Sequence, residues 1–332
     1  MVEEYGQDFG VVSGGVYPEL AEQIAGILDK ELIDIDRKRF LDGERYVRFN
    51  ESVRKRDLFV IQSLTEMNGY SLNDALMETL LIVDAAKRAS ADWVTVVWPL
   101  MPYARQDRKA RNREPISVSV VIRMLEIIGT NRIVTVDLHS AQSQAIFNRP
   151  FDHLTAEPLI RGRLAQIIGK KKSDYLMVSP DAGRAKESEQ YADELGIELI
   201  HMPKSRDRSD TSKLRRPPKI DGVVGKTCIV IDDMIATGGT IISAAETLKK
   251  SGAKAVMLAA THGILSGNAL EKFQNSSIEK LILVDTLPQE RTIKALGSRV
   301  EILPVAPMIA ESLRRVLVGE SVAELFHDMN NK

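Results

Sequence analysis

The chain has 332 residues, of which 44% are hydrophobic and 27% charged, with a formal net charge of −1 and one cysteine. That is the profile of a globular protein with chain enough for two cores, and its near-neutral charge excludes a global basic field for nucleic acid or an anionic membrane surface. A lone cysteine excludes an internal disulfide framework, and no apolar run approaches the roughly 20 residues of a membrane span. The opening MVEEYGQDFG is acidic and lacks an apolar segment, so no signal peptide is expected and the expected location is cytoplasmic.

Short apolar runs alternate with longer helical patterns. LFVIQSL (58–64), WVTVVWPL (93–100), RIVTVDLH (132–139), YLMVSPD (175–181), IELIHM (197–202), TCIVIDD (227–233), AVMLAATHG (255–263) and KLILVDT (280–286) are expected to form buried strands. Residues 71–89 place Leu76, Leu80, Val83 and Ala86 on one helical face, and 241–251 is a second helical stretch. This alternation predicts an α/β protein with two domains, each a mainly parallel sheet flanked by helices. A break in the pattern at FNRPFDHLTAEP (147–158) predicts domains of residues 1–155 and 156–332. Cys228 falls inside a strand pattern and is expected to be a buried structural thiol.

Two segments resist the pattern. Residues 103–117 carry Arg105, Arg108, Lys109, Arg111 and Arg113 within nine residues, and 204–222 carries seven basic residues and two prolines. Each alone reads as a solvated loop; two of them in a chain of neutral charge favour local anion binding. The run GVVGKT (222–227) looks like a phosphate loop, but that motif needs glycine at 220, where Ile220 stands. It also precedes a strand rather than following one, so it is a turn.

Ligands of open α/β sheets bind beyond the carboxyl ends of the strands. Three expected strands end in polar residues: Asp137-Leu138-His139, Ser179-Pro180-Asp181 and Asp232-Asp233. A single acid at such an end is usually a helix cap; three are harder to explain that way. After Asp233, the turn Thr237-Gly238-Gly239-Thr240 opens a helical pattern, offering backbone N–H groups, hydroxyls and a positive helix end to a phosphate. The two carboxylates are then placed to accept from sugar hydroxyls or to hold Mg²⁺ near a pyrophosphate.

VIDDMIATGGT (230–240) resembles the phosphoribosyl-pyrophosphate (PRPP) motif of the type I phosphoribosyltransferase fold. FLDGERYVRFNESVR (40–54), PYARQDRKARNREPIS (102–117), VDLHSAQSQAIF (136–147), SPDAGRAK (179–186) and ATHGILSG (260–267) resemble, in order, the ribose-phosphate pyrophosphokinase (PRPP synthetase) family, and the likeness spans roughly residues 10–325. It implies an enzyme that makes PRPP and AMP from ATP and ribose 5-phosphate with Mg²⁺, for nucleotide biosynthesis, built as a hexamer. Under it Phe40 stacks on adenine, with Asp42, Gly43 and Glu44 of a neighbouring subunit at the amino edge. Arg105 and Gln106 contact ATP, and His139 and Asp181 position the metal. Asp232 and Asp233 hold ribose hydroxyls, and Ala236, Thr237, Gly238, Gly239 and Thr240 wrap the 5-phosphate. Lys204 and Arg206 match the catalytic Lys-x-Arg, with Arg206 also reaching ribose 5-phosphate. Ser52 and Arg54 resemble part of a regulatory phosphate or ADP site, with a capped turn as the alternative.

Two departures stand out. Ala236 sits where many members of the family carry an acid, and extra residues precede Lys204. Two alternatives stay open from the sequence: a phosphoribosyltransferase that consumes PRPP, and a non-catalytic regulatory homologue.

Overall fold

The structure is a computed structural model that describes residues 8–181, 183–202 and 220–330. In chain order, β1 (Phe9–Ser13), α1 (Pro18–Ile27), the strand pair β2 (Ile35–Arg39) and β3 (Arg45–Phe49), β4 (Asp57–Ile61), α2 (Leu72–Arg88), β5 (Trp93–Trp98), α3 (Ser117–Ile127), β6 (Arg132–Val136) and β7 (Phe151–Leu154) build a first unit. Its main sheet runs β1-β4-β5-β6-β7, all parallel, with β2 and β3 paired antiparallel as a separate ribbon. Val12, Leu58, Val60, Val94, Val96, Trp98 and Leu125 form its centre. Such short continuous apolar runs are what a sheet covered on both faces demands. The bridge of Leu32 to Val11 adds a rudiment of one further strand beside β1.

Helix α2 shows how sequence sets a boundary. The Ser71 hydroxyl accepts from Asp74 N at 3.1 Å, and the Asp74 carboxylate accepts from Ser71 N at 2.8 Å. This capping box satisfies amides that the first helical turn leaves unpaired. Lys87 and Arg88 close the last turn, where cations suit the helix dipole.

The second unit follows with α4 (Glu157–Ile168), β8 (Tyr175–Ser179), α5 (Ala185–Leu195), β9 (Glu198–His201), β10 (Thr227–Ile235), α6 (Gly239–Lys250), β11 (Ala255–Gly263), α7 (Ala269–Gln274), β12 (Lys280–Val284), α8 (Glu290–Leu296) and β13 (Val300–Leu303). Its parallel sheet runs β13-β12-β11-β10-β8-β9 around Leu176, Val178, Val230, Leu258, Phe273 and Leu283. The chain leaves β8 for β9 on one side and returns to β10 on the other, so the strand order reverses between β8 and β10. Such a switch point opens a crevice at the strands' carboxyl ends.

Helices α9 (Ala306–Val318) and α10 (Val322–Asn330) end the described chain. The first unit comprises Met1–Ala156, Thr286–Pro288 and Pro304–Lys332, the second Glu157–Asp285 and Gln289–Leu303. The first break lies next to the expected boundary, but the second unit is not a continuous 156–332. Helix α9 buries Met308, Ile309 and Leu313 and packs against α1; its apolar face carries no mark of which sheet it will cover. Among the described residues no helix is long and apolar enough to cross a membrane.

Candidate active site

The second unit's crevice is built by β8 and β10. Pairing of β10 with β8 stops at Val230–Val178, while pairing with β11 runs on to Ile235–Gly263. Asp232 and Asp233 therefore lie within a strand that has lost its neighbour on one side. Asp233 is buried, Asp232 half-buried. Asp232 Oδ1 accepts from Asp233 N at 2.9 Å, and Asp233 Oδ1 from Met234 N at 2.7 Å.

Arg184, just before α5, closes the gap. Its Nη2 lies 2.8 Å from Asp232 Oδ1 and also contacts Asp233 Oδ1, and its Nη1 lies 2.9 Å from Glu187 Oε2. Burial pushes the Asp232 carboxyl up to about 7; Arg184 opposes the shift and Asp233 adds to it. Burial also works against the Arg184 guanidinium, yet the hydrogen bond and charge of Asp233, with Asp232 and Glu187, hold it above its ordinary range. Asp181 is exposed, and its Oδ1 accepts from Gly183 N at 2.8 Å and Arg184 N at 3.2 Å. It is thus both the turn before α5 and a carboxylate at the rim.

Beyond Ile235, residues 236–240 turn into α6. Gly238 is its N-cap with φ +70°, and no side chain caps the helix. A Cβ there would meet Phe273 Cε2 at 2.6 Å, so glycine is required by backbone and by packing alike. Thr237, Gly239 and Thr240 are exposed and Ala236 half-buried. The loop is braced from β11's end: Ile235 O accepts from Ile264 N and Leu265 N, each at 3.0 Å, and Ala236 O from Ser266 N at 2.9 Å. A glycine-led helix start with free-standing amides has the chemistry to accept an anion.

In the first unit, Phe40, Asp42, Gly43 and Glu44 form the tip of the β2–β3 ribbon. Phe40 N donates to Glu44 O at 2.8 Å, Glu44 N to Asp42 Oδ1 at 3.2 Å, and Gly43 turns with φ +98°. Phe40 is 51% exposed and Leu41 fully so, an aromatic held out on a polar arm. Arg105 is exposed. Gln106 is engaged at the start of α3: its Oε1 accepts from the Ser117 hydroxyl and its main-chain oxygen from Val118 N. After β6, Asp137 Oδ2 accepts from Ala156 N at 3.1 Å, so this acid ties a loop, and His139 beyond it is exposed. Ser52 and Arg54 are exposed on either side of buried Val53. Lys204 and Arg206 lie outside the described residues.

A family profile described as the N-terminal domain of ribose phosphate pyrophosphokinase matches residues 9–129, and one described as the phosphoribosyl synthetase-associated domain matches 210–327. The chain is 41% identical to the ribose-phosphate pyrophosphokinase of Bifidobacterium longum, over 95% of this chain and 92% of that protein. It is 38% identical to that of Clostridium acetobutylicum, over 98% and 99%. The phosphoribosylpyrophosphate synthetase structure from Mycobacterium smegmatis superposes with a TM-score of 0.85 at 39% identity, covering 94% of this chain and all of that one. The chain belongs to the ribose-phosphate pyrophosphokinase family.

Among the described residues of this pyrophosphokinase family member, no three His, Cys, Asp or Glu side chains gather into a metal cage. Mg²⁺ does not need one: it keeps several waters and is held through one or two carboxylates plus substrate phosphates. An exposed Asp181 carboxylate beside an anion cradle fits that donor set. The residue that sequence reasoning missed is Arg184. It stands inside SPDAGRAK, but only the fold brings it against Asp232 and Asp233.

Proposed function

We propose that the protein is a ribose-phosphate diphosphokinase, transferring the β,γ-pyrophosphoryl group of ATP to the C1 hydroxyl of ribose 5-phosphate to give PRPP and AMP for nucleotide biosynthesis. The observation that carries this reading is the uncapped, glycine-led start of α6 beside Asp232 and Asp233 at the switch point, in a chain of this family. The 5-phosphate sits on the amides of 236–240 and the ribose hydroxyls donate to the two carboxylates. That fixes C1 for in-line attack on the β-phosphorus. The new O–P bond forms as the bond to the α-phosphate oxygen breaks, AMP leaves, and the C1 hydroxyl proton is lost.

Phe40 stacks on adenine, with Asp42, Gly43 and Glu44 at its amino edge. Arg105 forks the phosphates and Gln106 contacts the nucleotide. Lys204 and Arg206 cover the transferring group and keep water out. Mg²⁺, held by Asp181 and His139 and by the phosphates, would neutralise phosphate charge when bound. The exposed Phe40 tip suits contact with a neighbouring subunit, and the family resemblance implies a hexamer built from dimers. Ser52 and Arg54 are the candidate regulatory phosphate or ADP contacts. A single, buried cysteine fits a cytoplasmic setting.

The test is to incubate the purified protein with ATP, Mg²⁺ and ribose 5-phosphate. AMP and PRPP in equal amounts are expected. Formation of ADP, or no turnover, would sink the reading.

A further inference from the structure

The geometry points to Arg184 as a positioning residue for the sugar: we propose that its guanidinium is the built-in cation that aligns the Asp232–Asp233 pair for the ribose hydroxyls. The inference rests on the proposed function and deepens it. Two adjacent carboxylates on one strand repel each other, and alternate side chains of a strand point to opposite faces. Yet here the described donors converge on the same-named oxygen of each acid. Arg184 Nη2 touches Oδ1 of both Asp232 and Asp233, Asp233 N holds Asp232 Oδ1, and Met234 N holds Asp233 Oδ1. One nitrogen bridging two anions fixes their planes relative to each other.

The guanidinium is itself fixed. Glu187, one turn into α5, takes its Nη1 at 2.9 Å, and its own main-chain N–H donates to Asp181 Oδ1. Its side chain is 20% exposed, against 22% for Asp232 and 7% for Asp233. The cluster is thus partly desolvated, with Arg184 and Asp232 open to solvent about equally and Asp233 shut away. The loop after β8 and the strand β10 are joined at the switch point by this side chain, so it sets the crevice geometry from across the strand gap. A lysine would supply charge but only one point of attachment, losing either the bridge or the Glu187 anchor.

Calorimetric titration of ribose 5-phosphate into the full-length protein, with KM for sugar and ATP measured in parallel, tests this. R184M is expected to weaken sugar binding and raise the sugar KM by at least about tenfold, the worth of a hydrogen bond to a charged group, while the ATP KM stays within about twofold. R184K is expected to recover part of the loss. Where R184M does not fold, the comparison is run on a D232N background, in which R184M removes the cation together with one of the two acids it balances. There R184M/D232N is expected to bind sugar no more than about threefold worse than D232N, because residues acting as a unit are not additive. Equal sugar affinity in wild type and R184M, equal loss for ATP and sugar, or a full tenfold loss persisting in the D232N background would each overturn the inference. A wild-type protein that binds ribose 5-phosphate yet makes no AMP overturns the proposed reaction instead.

Discussion

Replacing Gly238 with alanine strikes the phosphate cradle at its tightest point. The residue has φ +70°, and an L side chain in the left-handed region costs roughly 1–2 kcal/mol. The added Cβ would lie 2.6 Å from Phe273 Cε2 and 3.3 Å from Ile242 Cδ1. Phe273 is only 1% exposed, so its ring has no solvent to retreat into, and overpacking a filled core costs typically about 1–3 kcal/mol. Together the two effects predict a loss of about 2–5 kcal/mol, a large part of the roughly 5–15 kcal/mol that holds a domain folded. The assay is the urea-unfolding midpoint with the ribose 5-phosphate KM measured alongside. F273L separates the causes: it relieves the collision but not the backbone strain. On the F273L background, G238A should therefore cost only about 1–2 kcal/mol. A midpoint for G238A equivalent to within about 0.5 kcal/mol of wild type, or no relief from F273L, would refute the reasoning.

A236D restores an acid beside a loop whose carbonyl is already pinned by Ser266 N; the sugar KM is expected to fall about tenfold, the scale of a charge-assisted hydrogen bond, with the ATP KM unchanged, and a rise would show a loop rebuilt around alanine. K204A is expected to lower kcat by at least about 100-fold, since cations at phosphoryl transfer are worth on the order of 10³–10⁵, R206A should behave alike, and K204A/R206A should lose less than the product; near-normal turnover in K204A would move the role to Lys213, Arg215 or Arg216. Glu311 is held down to about 2, mainly by its hydrogen bond from Arg314 against the opposing effect of burial, with Arg315 helping. A carboxyl depressed in the folded state stabilises above its unfolded value of 4.5 and loses that as pH falls through about 2, so E311Q should flatten the acid arm of a melting-temperature profile in that window, and an unchanged arm would count against it.

Most strands read from the sequence are continuously buried, but the match is not complete. The half-buried edge strand β9 was read, and the fully buried β1 was not. All eight apolar runs recur as strands, and the helix expected over 71–89 is α2 with Ser71 as its cap. What else escaped reading follows a physical pattern. Strands β7 and β13 are sheet edges, and their FDHL and VEIL are only partly buried, so polar residues interrupt the apolar signal. The ribbon strands IDRKR and RYVRF show one face to solvent, which reads as a charged loop. The glycine-led turn from β10 into α6 could be read because its glycines, hydroxyls and acids sit together in the chain. Arg184 could not, because its partners are brought to it only by the return of the chain from β9 to β10.

Helices α2 and α6 follow corresponding strands, β4 and β10, in the two sheet orders, yet one begins with a capping box and the other with a bare glycine. Relative to a serine or aspartate, a glycine N-cap costs only about a few tenths of a kcal/mol. The second unit carries that deficit whenever its cradle is empty, and an anion seated on the amides removes it, so part of the substrate's binding energy returns as local stability. With the cradle filled, the β10–α6 region is expected to resist local opening better than when it is empty, a difference that hydrogen exchange with and without ribose 5-phosphate would read.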